Sequence, residues 1–176
     1  GFDHPARLSA QDLASILQEV RVKFKEHWLQ RLITGTLQSA PLFEESVLAR
    51  VAPALVEALE KADARDRIVF YVAQRRSSDR RDVTSGTLFV KGRSLTIVVA
   101  NHQNRVDVIP GLAAYDRQAP EVAVAPQRFS LAFARSEFVI EPEREAVGEV
   151  LGAAPPTLMV DYAKFLQYKS QAAVLR

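Results

Sequence analysis

The three histidines of the chain, His4, His27 and His102, are its candidates for acid–base chemistry, because imidazole titrates near neutral pH. Their spacing matches no metal-binding pattern such as HxxxH, and we expect neither a metal site nor a cofactor. His4 lies near the chain terminus, where we expect fraying. His27 stands beside Trp28, where a packing role is favoured. His102 is therefore the histidine that most merits a catalytic hypothesis.

Two further residues could join His102 in a hydrolytic site. Ser85 lies in one predicted strand, His102 follows the next strand, and Asp107 comes five residues later, so the three could act as nucleophile, base and acid. No Gly-x-Ser-x-Gly elbow surrounds Ser85. The alternative is that His102 belongs to a solvated turn at a strand end, and this alternative favours a protein that is not an enzyme.

The strongest functional signal is a run of arginines. Four of them stand close together: Arg75, Arg76, Arg80 and Arg81. A guanidinium binds phosphate or carboxylate through two parallel hydrogen bonds. We therefore predict that the loop Arg75–Asp82 binds anionic lipid headgroups, nucleic acid or an acidic protein surface. The alternative is a solvated hairpin tip, since Asp79 and Asp82 neutralise half of its positive charge.

The overall charge argues against a dedicated nucleic-acid-binding domain. The 176 residues include 23 basic and 21 acidic side chains, a net charge of +2. Residues 66–117 hold 9 basic and 5 acidic groups, whereas residues 1–65 hold 8 and 9 and residues 118–176 hold 6 and 7. Any nucleic-acid binding would therefore be local, and a protein partner or a membrane surface is favoured over nucleic acid.

The apolar pattern predicts two helices in the part of the chain from 8 to 62. Ser9 is a suitable N-cap, and the apolar residues that follow at helical spacing favour a helix through Ile33. The segment Val20–Lys25 also alternates with period two, as a half-buried strand would. A second helical pattern covers 48–62, and Pro53 predicts a kink or a restart within it.

The part of the chain from 67 to 176 is predicted to be mainly β-structure. Segments rich in β-branched and aromatic residues are Arg67–Gln74, Val83–Val90, Ser94–Ala100, Arg128–Ala134 and Glu137–Ile140. Short turns such as Lys91-Gly92-Arg93 favour antiparallel pairing. We therefore expect an α+β fold in a single domain, 1–176, in which the N-terminal helical pair packs on an antiparallel sheet of about five strands.

Two segments are harder to assign. Asn101–Gln127 is long and irregular and is typical of a functional loop or flap. After Pro155-Pro156, the sequence fits either a strand over Thr157–Tyr162 followed by a helix over Ala163–Val174, or one helix from Thr157.

Composition bears on the class of protein and its compartment. The chain is 48% hydrophobic and 25% charged and has no cysteine, which excludes bulk disorder and a disulfide scaffold. It begins with Gly1, and its one methionine is Met159, so we expect that a targeting segment has been removed and that the protein proper begins near Phe2. A periplasmic or outer-membrane-anchored location fits this pattern. A cytoplasmic location fits the absence of cysteine equally well.

One stretch resembles a known group of proteins. Thr84–Gly92 (TSGTLFVKG), followed by Leu95–Asn101 (LTIVVAN), is similar to β-rich modules of uncharacterised proteobacterial envelope lipoproteins. The resemblance implies an exported domain tethered by a lipid, and it carries over no site residue.

The leading hypothesis is accordingly a non-catalytic envelope protein that binds a protein partner or an anionic lipid surface. Its contacts would come from Arg75–Asp82 and from Asn101–Gln127. A nucleic-acid-binding module that uses the loop Arg75–Asp82 and a hydrolase-like enzyme around His102 are the alternatives. The oligomeric state stays open.

Overall fold

The computed structural model describes residues 1–24, 39–108, 115–141 and 154–174. Within them the helices are α1 (Ala10–Gln18), α2 (Glu45–Lys61), α3 (Tyr115–Gln118) and α4 (Tyr162–Val174). The strands are β1 (Val20–Phe24), β2 (Ser39–Pro41), β3 (Ile68–Arg75), β4 (Arg80–Lys91), β5 (Ser94–Asp107), β6 (Phe129–Phe133) and β7 (Thr157–Asp161).

These strands form two antiparallel sheets, one of order β2-β1-β6 and one of order β3-β4-β5-β7. The α+β class predicted from the sequence is confirmed. A helical pair on one sheet of about five strands is not what the described residues form, because β6 pairs with β1 instead of joining the larger sheet. Helix α1 does pack against α2.

The predicted helix through Ile33 is wrong at Val20–Phe24, which form strand β1. Helix α1 begins where expected, since the Ser9 side chain accepts a hydrogen bond from the Asp12 backbone N–H at 3.0 Å. It ends at Gln18, and β1 then buries Val20 and Val22 between β2 and β6. Pairing on both sides of β1 outweighs the local helical pattern. Residues 25–33 lie outside the described residues.

Helix α2 continues through Pro53, so the predicted restart at this residue is wrong. The proline leaves the carbonyl of Ala49 without its helical donor. Both Ala49 and Pro53 lie on the exposed side of the helix, where water can hydrogen-bond that carbonyl. The opposite side buries Leu48, Leu55 and Leu59 in the core and keeps the helix in place.

The central hairpin is longer than the sequence pattern predicted. Strand β4 begins at Arg80, so Arg80 and Arg81 belong to a strand instead of a loop. Strand β5 continues to Asp107, so the first seven residues of the predicted irregular stretch, 101–107, are also strand. Their polar side chains hid this extension, because the run of apolar residues ends at Ala100 while backbone pairing with β4 continues.

The C-terminal half contains one wrong prediction and one confirmed alternative. Glu137–Ile140 was expected to be a strand, but Ser136–Phe138 forms a 3₁₀ turn and Val139 makes an isolated bridge to Val160. The end of the chain is a strand followed by a helix, β7 and α4, as the first of the two alternatives predicted.

The N-terminal segment is docked on the larger sheet, so the expected fraying at His4 is wrong. The Val90 backbone N–H donates to Nε2 of His4 at 3.1 Å, and the Asp3 N–H donates to the Val90 carbonyl at 2.9 Å. Phe2 stacks on Phe89, with ring centroids 4.6 Å apart. These contacts close the end of the core where the β4–β5 hairpin turns at Gly92.

Gly86 is the glycine on which the close packing of the larger sheet depends. An added Cβ would lie 2.0 Å from the Val98 carbonyl oxygen and 2.9 Å from Cζ of Phe70. We expect Gly86→Ala to lower the free energy of unfolding by about 3 kcal/mol, because a backbone atom cannot swing away as a side chain can. Urea denaturation of both proteins measures the difference.

Gly92→Ala is the matched control. At Gly92 the backbone φ is +58° and an added Cβ meets no atom within 4 Å. That substitution should cost only about 1 kcal/mol, from the left-handed conformation alone. Equal costs at the two positions would show that the contact at Gly86 is not the cause.

Candidate functional site

The polar residues that the sequence singled out converge beneath one segment, residues 115–127, which we call the strap. It is hydrogen-bonded to side chains of β3, β4 and β5. Its placement depends on side chains of those strands, because its own backbone forms little regular structure after α3. The strap is the described part of the stretch that was predicted to be a functional loop.

Two bulges in β5 turn the polar side chains toward the strap. Relative to β4, β5 carries one extra residue on each side of the Ser85–Asn101 pair. Gln103, in the bulge between Asn101 and Asn104, adopts a left-handed φ of 47°. Bulges re-aim side chains by breaking strand alternation. As a result Asn101 and Asn104, three residues apart, share a face, and Nδ2 of Asn104 donates to Oδ1 of Asn101 at 2.9 Å.

Asn101 is the centre of this network. Its Nδ2 donates to Oγ of Ser85 and to the Val122 carbonyl, each at 2.9 Å, while its Oδ1 accepts from the Val124 N–H at 2.8 Å. The Ser85 hydroxyl donates onward to the Pro120 carbonyl at 2.6 Å. Every bond of this set either joins two strand residues or fixes the backbone of the strap.

The other end of the strap is held by a buried carboxylate. The side chain of Asp116 is fully buried and accepts from the Tyr71 hydroxyl at 2.5 Å and from Nη2 of Arg81 at 2.6 Å. Burial, together with the hydrogen bond to Asp116, raises the pKa of Tyr71. The guanidinium of Arg117 lies 5.6 Å above the Tyr71 ring. The strap is thus attached by an ion pair at one end and by amide hydrogen bonds at the other.

The three residues proposed for hydrolysis are not brought together. The Ser85 hydroxyl is used in the network below the strap. The His102 ring is 1% exposed and packs against Phe24 and Phe129, with centroids 5.8 and 6.3 Å away. Neither ring nitrogen of His102 has a hydrogen-bond partner among the described residues. Asp107 is exposed at the far end of β5, opposite Arg80.

The four arginines divide between two environments. Arg75, Arg76 and Arg80 are exposed at the turn between β3 and β4, which we call the basic tip (residues 75–82), whereas the side chain of Arg81 is 18% exposed and faces Asp116. Nε of Arg76 lies 2.6 Å from Oδ2 of Asp82. Only three of the four predicted binding residues therefore present their guanidinium groups to solvent.

Two members of the network, Tyr71 and Asp116, were missed by the analysis of the sequence. Tyr71 fitted a core position in a strand, and Asp116 lay in a stretch without periodicity. The signal that did exist was the polar run after Ala100, because a long apolar strand that turns polar without a glycine or proline marks a change of environment rather than a strand end.

Comparison with protein-family models, with curated proteins and with solved structures finds no match to this chain. In the described ranges, no three His, Cys, Asp or Glu side chains lie together in an arrangement that could hold a metal ion. None of the helices placed by the structure has the length and apolar composition that crossing a bilayer requires.

His102 should make the stability of the protein depend on pH. Burial lowers its pKa from 6.5 to about 4, so between these values the unfolded chain binds a proton that the folded chain does not. Stability therefore falls as the pH falls through this window. From about pH 7 to about pH 5, the free energy of unfolding should drop by about 2 kcal/mol more for the wild type than for His102→Leu.

The measurement is urea denaturation of both proteins at the two pH values. His4, whose pKa is lowered by burial too, is present in both, so its effect cancels in the comparison. If the wild type and His102→Leu lost the same free energy of unfolding between the two pH values, His102 would not be a buried side chain that stays neutral in the folded protein.

The substitution Asn101→Ala should weaken the attachment of the strap to the larger sheet. Asn101→Ala removes the acceptor of the Val124 N–H and the donor to the Ser85 hydroxyl oxygen. We expect a loss of about 3 kcal/mol in the free energy of unfolding, and faster hydrogen exchange confined to the strap. Glu121→Ala, at an exposed position of the same segment, is the control and should change neither quantity. If Asn101→Ala raised hydrogen exchange equally throughout the chain, Asn101 would not act on the strap alone.

Proposed function

We propose that this chain is a non-catalytic binding domain of the cell envelope, lipid-anchored on the periplasmic side, and that it contacts a partner protein through the basic tip. The envelope location is supported by the resemblance of Thr84–Asn101 to envelope lipoprotein modules. The non-catalytic assignment is supported by the use of Ser85 and Asn101 as internal hydrogen-bonding groups. A buried, unpaired imidazole at His102 is also a poor base, since its protonation is disfavoured.

The observation that carries the proposal is the order of the basic tip. Exposed turns usually retain freedom that binding must remove, at a cost in free energy. Here Nε of Arg75 donates to the Ser77 carbonyl at 3.0 Å, and the Arg76 and Ser77 N–H groups both donate to the Arg80 carbonyl at 2.9 and 3.2 Å. Oγ of Ser77 donates to Asp79 at 2.6 Å.

The tip is also connected to the end of β5. The Val108 N–H donates to the Asp79 carbonyl at 2.8 Å, so the turn cannot swing away from the strand beside it. A charged turn that is held in one shape can be recognised at little entropic cost.

The charges around the tip favour a protein over a membrane. Within the tip, four arginines stand with two carboxylates, Asp79 and Asp82, which leaves an excess of two positive charges. Anionic lipid attracts a surface in proportion to its excess of basic groups, about 1 kcal/mol for each, so this excess gives only a weak attraction of about 2 kcal/mol. A surface on which positive and negative groups alternate can instead be complementary to the charge pattern of one partner protein and repel proteins with a different pattern. The same balance weakens attraction to nucleic acid.

The test is binding by the intact chain and by the triple variant Arg75→Ser, Arg76→Ser, Arg80→Ser. The probes are detergent-solubilised envelope proteins, phosphatidylglycerol vesicles and a mixed-sequence oligonucleotide, each at about 0.05 and about 0.5 M NaCl to vary the screening. We expect the wild type to retain one defined envelope protein at low salt only, and the triple variant to lose it. Vesicles and oligonucleotide should bind neither protein.

A charge-matched control separates the tip from net charge. The variant Arg7→Ser, Arg21→Ser, Arg65→Ser removes the same three positive charges at exposed positions elsewhere and should bind as the wild type does. Retention of the envelope protein by the tip variant would refute the proposal. So would binding that the vesicles or the oligonucleotide reproduce, because the ligand would then be lipid or nucleic acid.

A further inference from the structure

The two edges of the larger sheet are built differently. At one edge, β7 has only five residues, follows Pro155-Pro156, and is covered by the Val139–Val160 bridge and a hydrogen bond from the Ile140 N–H to the Met159 carbonyl. Short strands, prolines and covering segments are how proteins protect sheet edges. This edge is therefore closed to further strands.

The opposite edge, β3, has none of these protections in the described part of the chain. It has eight residues, contains no proline, and pairs with β4 in one continuous register from Ile68 to Arg75. Its middle, Val69–Ala73, carries no charge. Val69 is 44% exposed, one of the few large apolar side chains that the described residues leave in solvent. Such an edge presents a row of backbone N–H and C=O groups that can pair with another strand.

A groove runs between this edge and α2. It has a volume of about 400 Å³, within the range of peptide- and ligand-binding clefts. Its strand side is formed by residues 68–73, and its helix side by small and apolar residues that include Val47, Val51, Ala54 and Ala58. Side chains of an added strand that point toward α2 would therefore enter an apolar slot. Side chains of alternate positions would point away from the helix.

The charges around the groove indicate what such a strand should carry. Arg50 is the one charged side chain among the described residues that line it, and it makes none of the ion pairs found there. Arg67 and Arg75 stand at the two ends of β3, both exposed. A complementary segment is apolar at alternate positions in its middle and acidic at its ends.

The same charges disfavour a second copy of this chain as the occupant. Antiparallel pairing of β3 with itself over its full length, Ile68 opposite Arg75, would place Arg67 opposite Arg76 of the copy. The symmetry of such a pair would repeat this contact at the other end. Like charges directly opposite one another destabilise a strand pair.

We infer that β3 accepts an extended, acid-flanked segment of another protein as an additional strand, lodged against α2. Backbone hydrogen bonds to the edge would supply general affinity, and the apolar slot and Arg50 would select the sequence. The inference rests on the proposed function in taking the partner to be a protein. It assigns that protein a second point of attachment, beside the basic tip.

The probe is a fluorescein-labelled peptide, DDVTVTVTDD, titrated with the intact chain and followed by fluorescence anisotropy. Ala54→Trp fills the groove from an exposed position of α2 and should weaken binding by about tenfold or more. Arg50→Glu should weaken this peptide by about tenfold and should bind KKVTVTVTKK better than the wild type does, since the charge preference is exchanged.

Glu60→Trp, at an exposed position of α2 outside the groove, is the matched control and should bind DDVTVTVTDD as the wild type does. Absence of peptide binding, or equal binding by the wild type and Ala54→Trp, would overturn the inference. So would concentration-dependent dimerisation that Ala54→Trp abolishes, because the occupant would then be a second copy. These variants leave the basic tip intact, so the two proposals are tested separately. The chain can retain the envelope protein at low salt without binding the peptide, and it can bind the peptide without retaining the envelope protein.

Discussion

The fold depends on one requirement, that the amide, hydroxyl and backbone groups buried under the strap find hydrogen-bond partners within the protein. An unpaired buried amide or carbonyl costs more than most single contacts contribute. The strap has few backbone bonds of its own, so its carbonyls and N–H groups are paired by Asn101 and Asn104, while its own Gln127 side chain pairs both backbone groups of His102. The bulges that break the regularity of β5 are what place these side chains on one face. An irregular strand and an irregular segment therefore stabilise each other.

This requirement also explains why residues with catalytic potential take no part in a catalytic arrangement. The serine and the asparagines are chemically capable, but their lone pairs and protons are committed to the strap. His102 points to the opposite face, where aromatic rings exclude water. The polar network attaches one segment to the sheet, and the surfaces that we propose for recognition are the basic tip and the edge of β3.

Regular periodicity in the sequence predicted much of the larger sheet and both of its flanking helices. The strand pattern located β3, β4 and the start of β5, and the Ser9 cap located the start of α1. The failures occurred where tertiary contacts decide the structure. Val20–Phe24 carries helical and strand periodicity at once, and pairing with β2 on one side and β6 on the other selects the strand. Asn101–Asp107 is a strand whose side chains satisfy distant backbone groups, so its polar composition resembled a loop.

The candidate site was less predictable than the fold, for the same reason. Arg81 was indistinguishable from its neighbours in the run of arginines until Asp116, from a segment without periodicity, was placed against it. The partition of that run into one part-buried and three exposed guanidinium groups is a property of the tertiary structure.

The inequality of the two sheet edges has a consequence for stoichiometry. A sheet open at both edges can add strands without limit, and its complexes tend toward filaments. Here the Val139 bridge and the two prolines close the β7 edge, so this chain can be joined by a strand at β3 but offers no second edge of the larger sheet to a further molecule. The chain would therefore terminate an assembly instead of propagating it, in the manner of a cap.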